Sequence, residues 1–508
     1  YDSAFTKKIR NWIADDRMTA PAALHRLLEE YSTLFQRTRD DYLKERLNDV
    51  RDVVVRLSAH LSEVVTTDEK PLAGPLIVVA NELLPSQAVA LGDIDVHGIV
   101  TQTGSQTSHA AILARSRGIP AVAGVAGVLR SVNTGDTIVV DGREGTVDVN
   151  PGPEVLAAHR KLEREFFHLK DQLTENRDHP AVTKDGVAVE LLANINSESD
   201  AKAAAAMGAT GVGLYRTEYL YLTHPNVPDE EEQYKTYCRV IDASPNHQVT
   251  IRTLDIGGDK TVPYLGHTHQ EANPFLGWRS IRLSFEHPEF FGTQIRAILR
   301  AGYYAAQQGG QVKIMFPMIT TLEEVNRLRG MVRRAGARLD KSNTPWDDVP
   351  IGMMLEVPAA AIAIDTMLSS VDFVSIGSND LVQYLMAADR DNPKVNHLCQ
   401  PLAPPVLRVL RDVIAKCAFQ DVPVTLCGEM AGQQRAFVLL LGMGLRSFSM
   451  SPAFLSSIKS LAKHVTVSDA KAIVSTALRM KTTARVQRLV RDSLRQLAPE
   501  LALLDVHQ

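Results

Sequence analysis

The sequence predicts an α/β protein whose larger part, residues 182–508, is a (β/α)8 TIM barrel, preceded by a small α/β domain and a helical region. Two observations carry that expectation. From Val182 onward short β-branched runs alternate with helical stretches: Val187 to Ala193, Gly211 to Tyr215, Val249 to Leu254, Val312 to Phe316, Ile351 to Leu355, Phe373 to Ile376, Val422 to Leu426 and Phe448 to Met450. Strand and helix units in that number over roughly three hundred residues match such a barrel, whereas a doubly wound sheet would be unusually large. Ahead of Val182 the hydrophobic period changes from helical spacing to short runs and back again, so the N-terminal region is organised separately.

Residues 1–65 read as helical. Leu43, Leu47, Val50, Val54, Leu57 and Leu61 keep steps of four and three, and Met18-Thr19-Ala20-Pro21 supplies a cap and an N-terminal proline. These helices either pack together or present a docking face for a protein partner. Residues 66–150 read as a small α/β domain, with apolar runs at Leu76 to Ala80, Ile99 and Val100, Ala121 to Val125, Thr137 to Val140 and Gly145 to Val149. Gly135-Asp136 and Asp141-Gly142 mark tight turns between strands. Residues 151–181 read as a helical linker, because Val155, Leu162, Phe166, Leu169 and Leu173 share one helix face. That stripe suits packing on a neighbour or a short coiled-coil seam. The last helix, Thr483 to Leu497, is basic on one face and is expected to be solvated.

Composition narrows the function. With 508 residues, 45% hydrophobic and 22% charged, the chain has the make-up of a globular protein of two or three domains. A formal charge of -4 gives no reason to expect a nucleic-acid partner. The greasiest stretch, Phe437 to Leu445, is short and interrupted by glycine, so membrane insertion is not expected. Cys238, Cys399, Cys417 and Cys427 are scattered, with no pair spaced for zinc or redox work, which fits a reducing, cytoplasmic setting. The chain starts at Tyr1, and an upstream segment is left open.

One stretch organises the rest: Thr103 to Arg115, a glycine-bearing loop that runs into an alanine-rich helix with His109 near its start. Thr107 is a good N-cap, which puts His109 about two residues inside the helix. There the positive helix end disfavours imidazolium and keeps the ring nucleophilic, while free N–H groups can receive a phosphate. Taken alone, the stretch fits a solvent-facing histidine slightly better than a phosphoryl carrier.

The barrel tips that balance, because an active site forms at the C-terminal ends of such strands. Arg216 follows the second predicted strand, Arg252 and Asp255 sit at the third, Glu356 follows the fifth, Asn379 and Asp380 the sixth, and Cys427 the seventh. Polar residues from so many strands at one end would be costly as packing alone. Glu356 and Asp380 are hard oxygen ligands suited to Mg²⁺. Arg216, Arg252 and Arg390 offer forked donors for phosphate and carboxylate. The segment from Asp255 to Lys260 is either a flexible loop bringing a further cation or a simple turn. Cys427 is either a buried structural thiol or an acid, its ordinary pKa leaving it protonated at neutral pH.

At this point the sequence resembles Enzyme I of the bacterial sugar phosphotransferase system, the phosphoenolpyruvate-protein phosphotransferases, over essentially its whole length. The matching stretches are Thr107-Ser108-His109, Gly211 to Glu218, Arg252 to Lys260, Asn273 to Arg279, Phe316-Pro317-Met318, Glu356 to Ala360, Ile376 to Leu381, Asp389-Arg390 and Cys427-Gly428-Glu429. The resemblance implies a swivelling phosphohistidine domain over 66–150 and a barrel that binds phosphoenolpyruvate. It implies Mg²⁺ on Glu356 and Asp380, with Arg216, Arg252, Asn379, Arg390 and the assisting Arg279 on the phosphate and carboxylate. His109 would attack the phosphorus, Cys427 would protonate the enolate, and the phosphocarrier HPr or a nitrogen-branch relative would receive the group. A homodimer through the barrel follows from the same resemblance, as does a carrier-docking region, 1–65, incomplete at its N-terminus. The chain departs from the family at Gly104-Ser105-Gln106, where Gly-Gly-Arg is common, at Asp391 in place of glycine, and at Gln433 in place of an acid.

Two other readings are separable. Pyruvate phosphate dikinase and phosphoenolpyruvate synthase share the histidine domain and barrel but need an ATP-binding domain, and no glycine-rich nucleotide loop precedes His109. An inactive scaffold keeping only the barrel is disfavoured by the intact His109, Glu356, Asp380 and Cys427.

Overall fold

The computed structural model describes residues 3–36, 54, 57, 75–83, 87, 96–103, 114, 119–142, 145–175, 177, 179–223, 227–257, 271, 273–390, 392 and 394–504. The chain divides into two compact units, 1–160 with 507–508, and 161–506, the boundary falling inside the helix Pro153–Glu175.

In the first unit the helices Ser3–Ala14 and Ala20–Gln36 pair around Leu24, Leu27 and Val54. Thr19 caps the second as its sequence predicts, its hydroxyl accepting from the Ala22 N–H. Of the further helix positions expected up to Leu61, most lie outside the described residues. A parallel sheet follows, β1 (Leu76–Ala80), β2 (Val96–Thr101) and β3 (Ala121–Val122), in that order, then an antiparallel pair, β4 (Ile138–Asp141) and β5 (Thr146–Val149). The run expected to Val125 stops at Val122, because Gly124 at φ 78° turns the chain out of extended geometry. Beyond β2 the backbone reaches Thr103, whose N–H and hydroxyl both donate to the Asn81 carbonyl at 2.8 Å.

The second unit is the expected barrel. Eight parallel strands close on themselves: β6 (Glu190–Ile195), β7 (Val212–Arg216), β8 (Gln248–Arg252), β9 (Gln311–Phe316), β10 (Ile351–Leu355), β11 (Phe373–Ile376), β12 (Val424–Cys427) and β13 (Ser447–Met450), with β13 pairing β6. Full closure leaves no strand edge. Three predicted strands shift by two or three residues at one or both ends, the third ending at Arg252 rather than Leu254. The first begins at Glu190 rather than Val187 because Ala188 is taken by an antiparallel bridge to Val182, and the seventh begins at Val424 rather than Val422. Helices between the strands pack apolar faces on the outside of the sheet, as in Pro288–Gln307, where Phe291, Ile295, Ile298 and Leu299 are buried. The last helix, Thr483–Leu497, is not merely solvated: Val486, Val490 and Leu494 form a buried stripe opposite its basic face.

Candidate active site

The residues predicted to carry chemistry sit at the C-terminal ends of the strands. Arg216 and Arg252 are the last residues of β7 and β8 and pair across the ladder. Cys427 is the last residue of β12, so Arg216 and Cys427 stand in their strands rather than after them, one residue earlier than expected. Glu356 directly follows β10, and Asn379 and Asp380 lie in the first turn of the helix Ser378–Met386 after β11. Strand ends are rigid, so these side chains start from fixed positions.

A chain of ion pairs joins Arg252 to Asp380 through Asp255 and Arg279 and runs on to Arg390. Arg252 donates to Glu218 at 2.9 Å and lies 3.3 Å from Asp255. Asp255 holds Arg279 through both its oxygens, at 3.0 and 2.9 Å from Nη2. Arg279 Nη2 is in turn 3.6 Å from Asp380, and Asp380 is 3.3 Å from Arg390. All but Arg390 are buried. Burial works first against the charge on Arg252 and on Arg279, but the surrounding carboxylates outweigh it and raise both above the ordinary arginine value.

Arg216 differs. Its pKa is lowered, first by burial and then by the positive charge of Arg252. Among the described residues it has no hydrogen bond or short ion pair, although part of the side chain stays open at the barrel mouth. A crowded cation beside a second cation favours an anion between them.

Glu356 is 1% exposed, and its Oε1 accepts from the Met318 N–H at 2.6 Å. Burial, and then the negative charges of Asp380 and Asp255, push its pKa up. Asp380 Oδ1 is buried and accepts no hydrogen bond from the described residues, since the Arg390 contact lacks the geometry for one. Two carboxylates close enough to disturb each other, one with an unsatisfied oxygen, suit a divalent cation. No group of three or more His, Cys, Asp or Glu forms among the described residues, so protein would supply only some of a coordination shell. Mg²⁺ is usually held in that way, by one or two carboxylates plus water and substrate oxygens.

Cys427 is 4% exposed, within hydrogen-bond reach of Ser375 Oγ at 2.9 Å, and lined by Leu214, Met315, Met354 and Phe373. Burial pushes its thiol up to about 11, against the weaker pull of Ser375, Arg252 and Arg216. Beside it Gly428 is needed for close approach: a Cβ there would fall 2.0 Å from Ser378 Oγ and 3.1 Å from Asn379 Oδ1. Asn379 Oδ1 accepts from the Glu429 N–H at 3.1 Å, tying the loop after β12 to the helix after β11.

The structure thus brings Arg216, Arg252, Arg279, Glu356, Asn379, Asp380, Arg390 and Cys427 to one end of the barrel. His109, with its loop at 104–113, lies outside the described residues, as do 258–270 and Asp391. Sequence reasoning missed four partners. Glu218 neutralises Arg252 and also accepts from the Asp255 N–H at 2.9 Å. Tyr384 lies 3.3 Å from Arg279 Nη1 and donates to the Phe275 carbonyl at 2.6 Å. Met318 offers its backbone and Ser375 its hydroxyl. Glu218, within the Gly211 to Glu218 match, and Met318, within Phe316-Pro317-Met318, carried a signal, and Tyr384 and Ser375 carried none.

Comparison with known proteins gives the family. The family model for the PEP-binding domain of PEP-utilising enzymes matches residues 170–467, that for their mobile domain matches residues 72–145, and that for their N-terminal region matches residues 1–46. The chain is 39% identical over 492 residues to the phosphoenolpyruvate-protein phosphotransferase of Staphylococcus carnosus, covering 97% of this chain and 85% of that protein. The enzyme of the same name from Listeria monocytogenes is 41% identical over 490 residues, covering 96% and 85%. That of Haemophilus influenzae is 37% identical over 494 residues, covering 97% and 85%. A solution NMR structure of Enzyme I (nEIt) aligns with 32% of this chain and 66% of its own at 34% identity, with a TM-score of 0.26, and adds nothing to the barrel assignment. With a PEP-binding model spanning the barrel and relatives of one activity along nearly its full length, the chain belongs to the phosphoenolpyruvate-protein phosphotransferases, the Enzyme I family of PEP-utilising enzymes.

Proposed function

We propose that this enzyme takes the phosphoryl group of phosphoenolpyruvate onto His109 and passes it to a histidine of the phosphocarrier HPr or a nitrogen-branch relative, releasing pyruvate. One observation carries the reading: Arg216, unpaired among the described residues, stands beside Arg252 and the buried Cys427 thiol, where a doubly charged anion would complete the site. Arg216, Arg252 and Arg390, with Asn379, would hold the phosphate and carboxylate, and Arg279 would steady Asp380. Glu356 and Asp380 would hold Mg²⁺, which when bound supplies positive charge to phosphoryl and enolate oxygens. The arginines stabilise the charge that spreads over the equatorial oxygens as the group leaves for His109. Cys427, protonated through neutral pH, gives its proton to the methylene carbon of the enolate.

In this reading residues 66–150 are the swivelling histidine domain, 1–65 the carrier-docking region, 151–181 the linker and 182–508 the barrel, through which the enzyme forms a homodimer. No helix among the described residues is long and apolar enough to cross a membrane, and none of the four cysteines is in a disulfide, which supports a cytoplasmic setting. The test is labelling. Protein incubated with Mg²⁺ and ³²P-phosphoenolpyruvate is expected to gain an acid-labile phosphate, and His109→Ala to gain none. Undiminished labelling of the mutant would falsify the assignment.

A further inference from the structure

We propose that Ser375 is a positioning residue for proton transfer to the enolate, aiming the Cys427 S–H at the substrate carbon and stabilising the thiolate left behind. The inference rests on the reading of Cys427 as the acid.

Ser375 is the third residue of β11 and is 1% exposed. It pairs with Thr425, two residues before Cys427 on the neighbouring strand. The next pair along the ladder, Ile376 and Leu426, belongs to the main hydrophobic core, while Phe373 and Cys427 share a separate cluster with Leu214, Met315 and Met354. Side chains alternate between the two faces of a strand, so Ser375 and Cys427 both project into the lumen. There Ser375 Oγ donates to Cys427 Sγ at 2.9 Å. Among the described residues no other side chain hydrogen-bonds to that sulfur.

The direction of the bond matters. With the serine hydroxyl as the donor to the sulfur, its one proton is taken up there and the thiol's own proton points elsewhere. Apart from Ser375, the described side chains of this cluster offer no acceptor stronger than the Met315 and Met354 sulfurs, which favours the open mouth, where Arg216 and Arg252 would hold the substrate. During transfer the S–H bond breaks, a C–H bond forms at the methylene carbon to give the methyl group of pyruvate, and sulfur keeps the electron pair. The thiolate recovers its proton from water before the next turnover. A thiolate among Leu214, Met315, Met354 and Phe373 is poorly solvated. Around it, Arg216 on β7 and Arg252 on β8 favour that charge and Glu356 after β10 opposes it. The Ser375 hydroxyl is the donor that touches the sulfur directly, and hydrogen bonds strengthen when one partner becomes charged.

The experiment uses the full chain with Ser375→Ala, Ser375→Thr and Cys427→Ala, and follows pyruvate release in a single turnover of phosphoenolpyruvate with Mg²⁺, in water and in deuterium oxide. Alkylation of Cys427 by iodoacetamide is followed alongside. Ser375→Ala is expected to lower the maximal rate about tenfold to a hundredfold without changing the half-saturating substrate concentration, and to raise the solvent isotope effect. It should also slow alkylation, because the thiolate has lost its donor, whereas a loosened fold would expose the thiol and speed alkylation. Ser375→Thr keeps the hydroxyl and should recover some of the rate. A wild-type rate and isotope effect in Ser375→Ala, or faster alkylation, overturns the role of Ser375. If Cys427→Ala releases pyruvate at the wild-type rate, the reading of Cys427 itself fails. If Cys427→Ala is slow and Ser375→Ala is not, only the positioning role is lost.

Discussion

Arg216 and Arg252 end neighbouring strands and pair across the ladder, yet their surroundings are opposite. Arg252 is held by Glu218 and Asp255 before any substrate arrives, while Arg216 has no hydrogen-bond partner among the described residues. One guanidinium belongs to a neutralised framework running through Asp255, Arg279 and Asp380 to Arg390. The other has no carboxylate within ion-pair distance among the described residues, although Glu218 and Glu429 favour its charge from further off. Residues of one type at one level of a barrel therefore divide into those that keep the site in shape and those that bind, and neighbours on other strands decide which is which.

The comparison can be broken by substitution. Arg252→Met leaves the buried Glu218 without its cation and Asp255 with Arg279 alone, and is expected to cost about 3–5 kcal/mol of stability, read as a fall in the thermal midpoint. Arg216→Met removes a cation that burial already disfavours. Its thermal midpoint should match or exceed that of the wild type, while phosphoryl transfer from phosphoenolpyruvate falls by about two to three orders of magnitude. Equal losses of stability in the two variants would erase the distinction.

A smaller effect probes the carboxylates. Because the Glu356 pKa is raised, first by burial, the carboxyl binds a proton in competition with a cation. Mg²⁺ affinity, measured by titration calorimetry, should therefore increase as pH rises from the ordinary carboxylate range toward the raised value. The sign for the cation-free fold is the reverse. Its stability falls over the same interval, since the folded state holds the proton more tightly than the unfolded chain, and cation binding restores it. A pH-independent affinity would place the cation elsewhere. The smallest effect is expected of Tyr384→Phe, which removes the hydroxyl between Arg279 and the Phe275 carbonyl. About 1 kcal/mol of stability should go, with substrate turnover reduced severalfold at most.

The barrel was readable because β-branched runs and their helical spacers persist whatever the loops do. Ile351–Leu355 and Phe373–Ile376 coincide with the predicted strands residue for residue. Boundaries slipped where an apolar stretch was used outside the ladder, as at Ala188. Strand-end positions also pointed to the cluster of arginines and carboxylates, since one end of a parallel barrel gathers residues far apart in the chain. The pairings within that cluster were not readable. Asp255 looked like a loop residue, but it holds Arg279 from 24 residues away, and Ser375 reaches Cys427 across 52. Such contacts are fixed by strand register and closure, to which no spacing rule in a single sequence corresponds.

Met318 shows a related gap at the level of a single bond. It has a positive φ of 56°, uncommon for a residue with a side chain, and in that posture its N–H meets Glu356. What the site uses at this position is a peptide group. Any residue with an N–H could keep the tether, and glycine would adopt the posture without strain, although the Met318 side chain is itself buried in the barrel core and its sulfur lies 3.8 Å from the Tyr384 hydroxyl. Proline, lacking the N–H and confined to negative φ, would leave that Glu356 oxygen without its donor. Sequence variation at this position would understate how tightly the carboxylate depends on it.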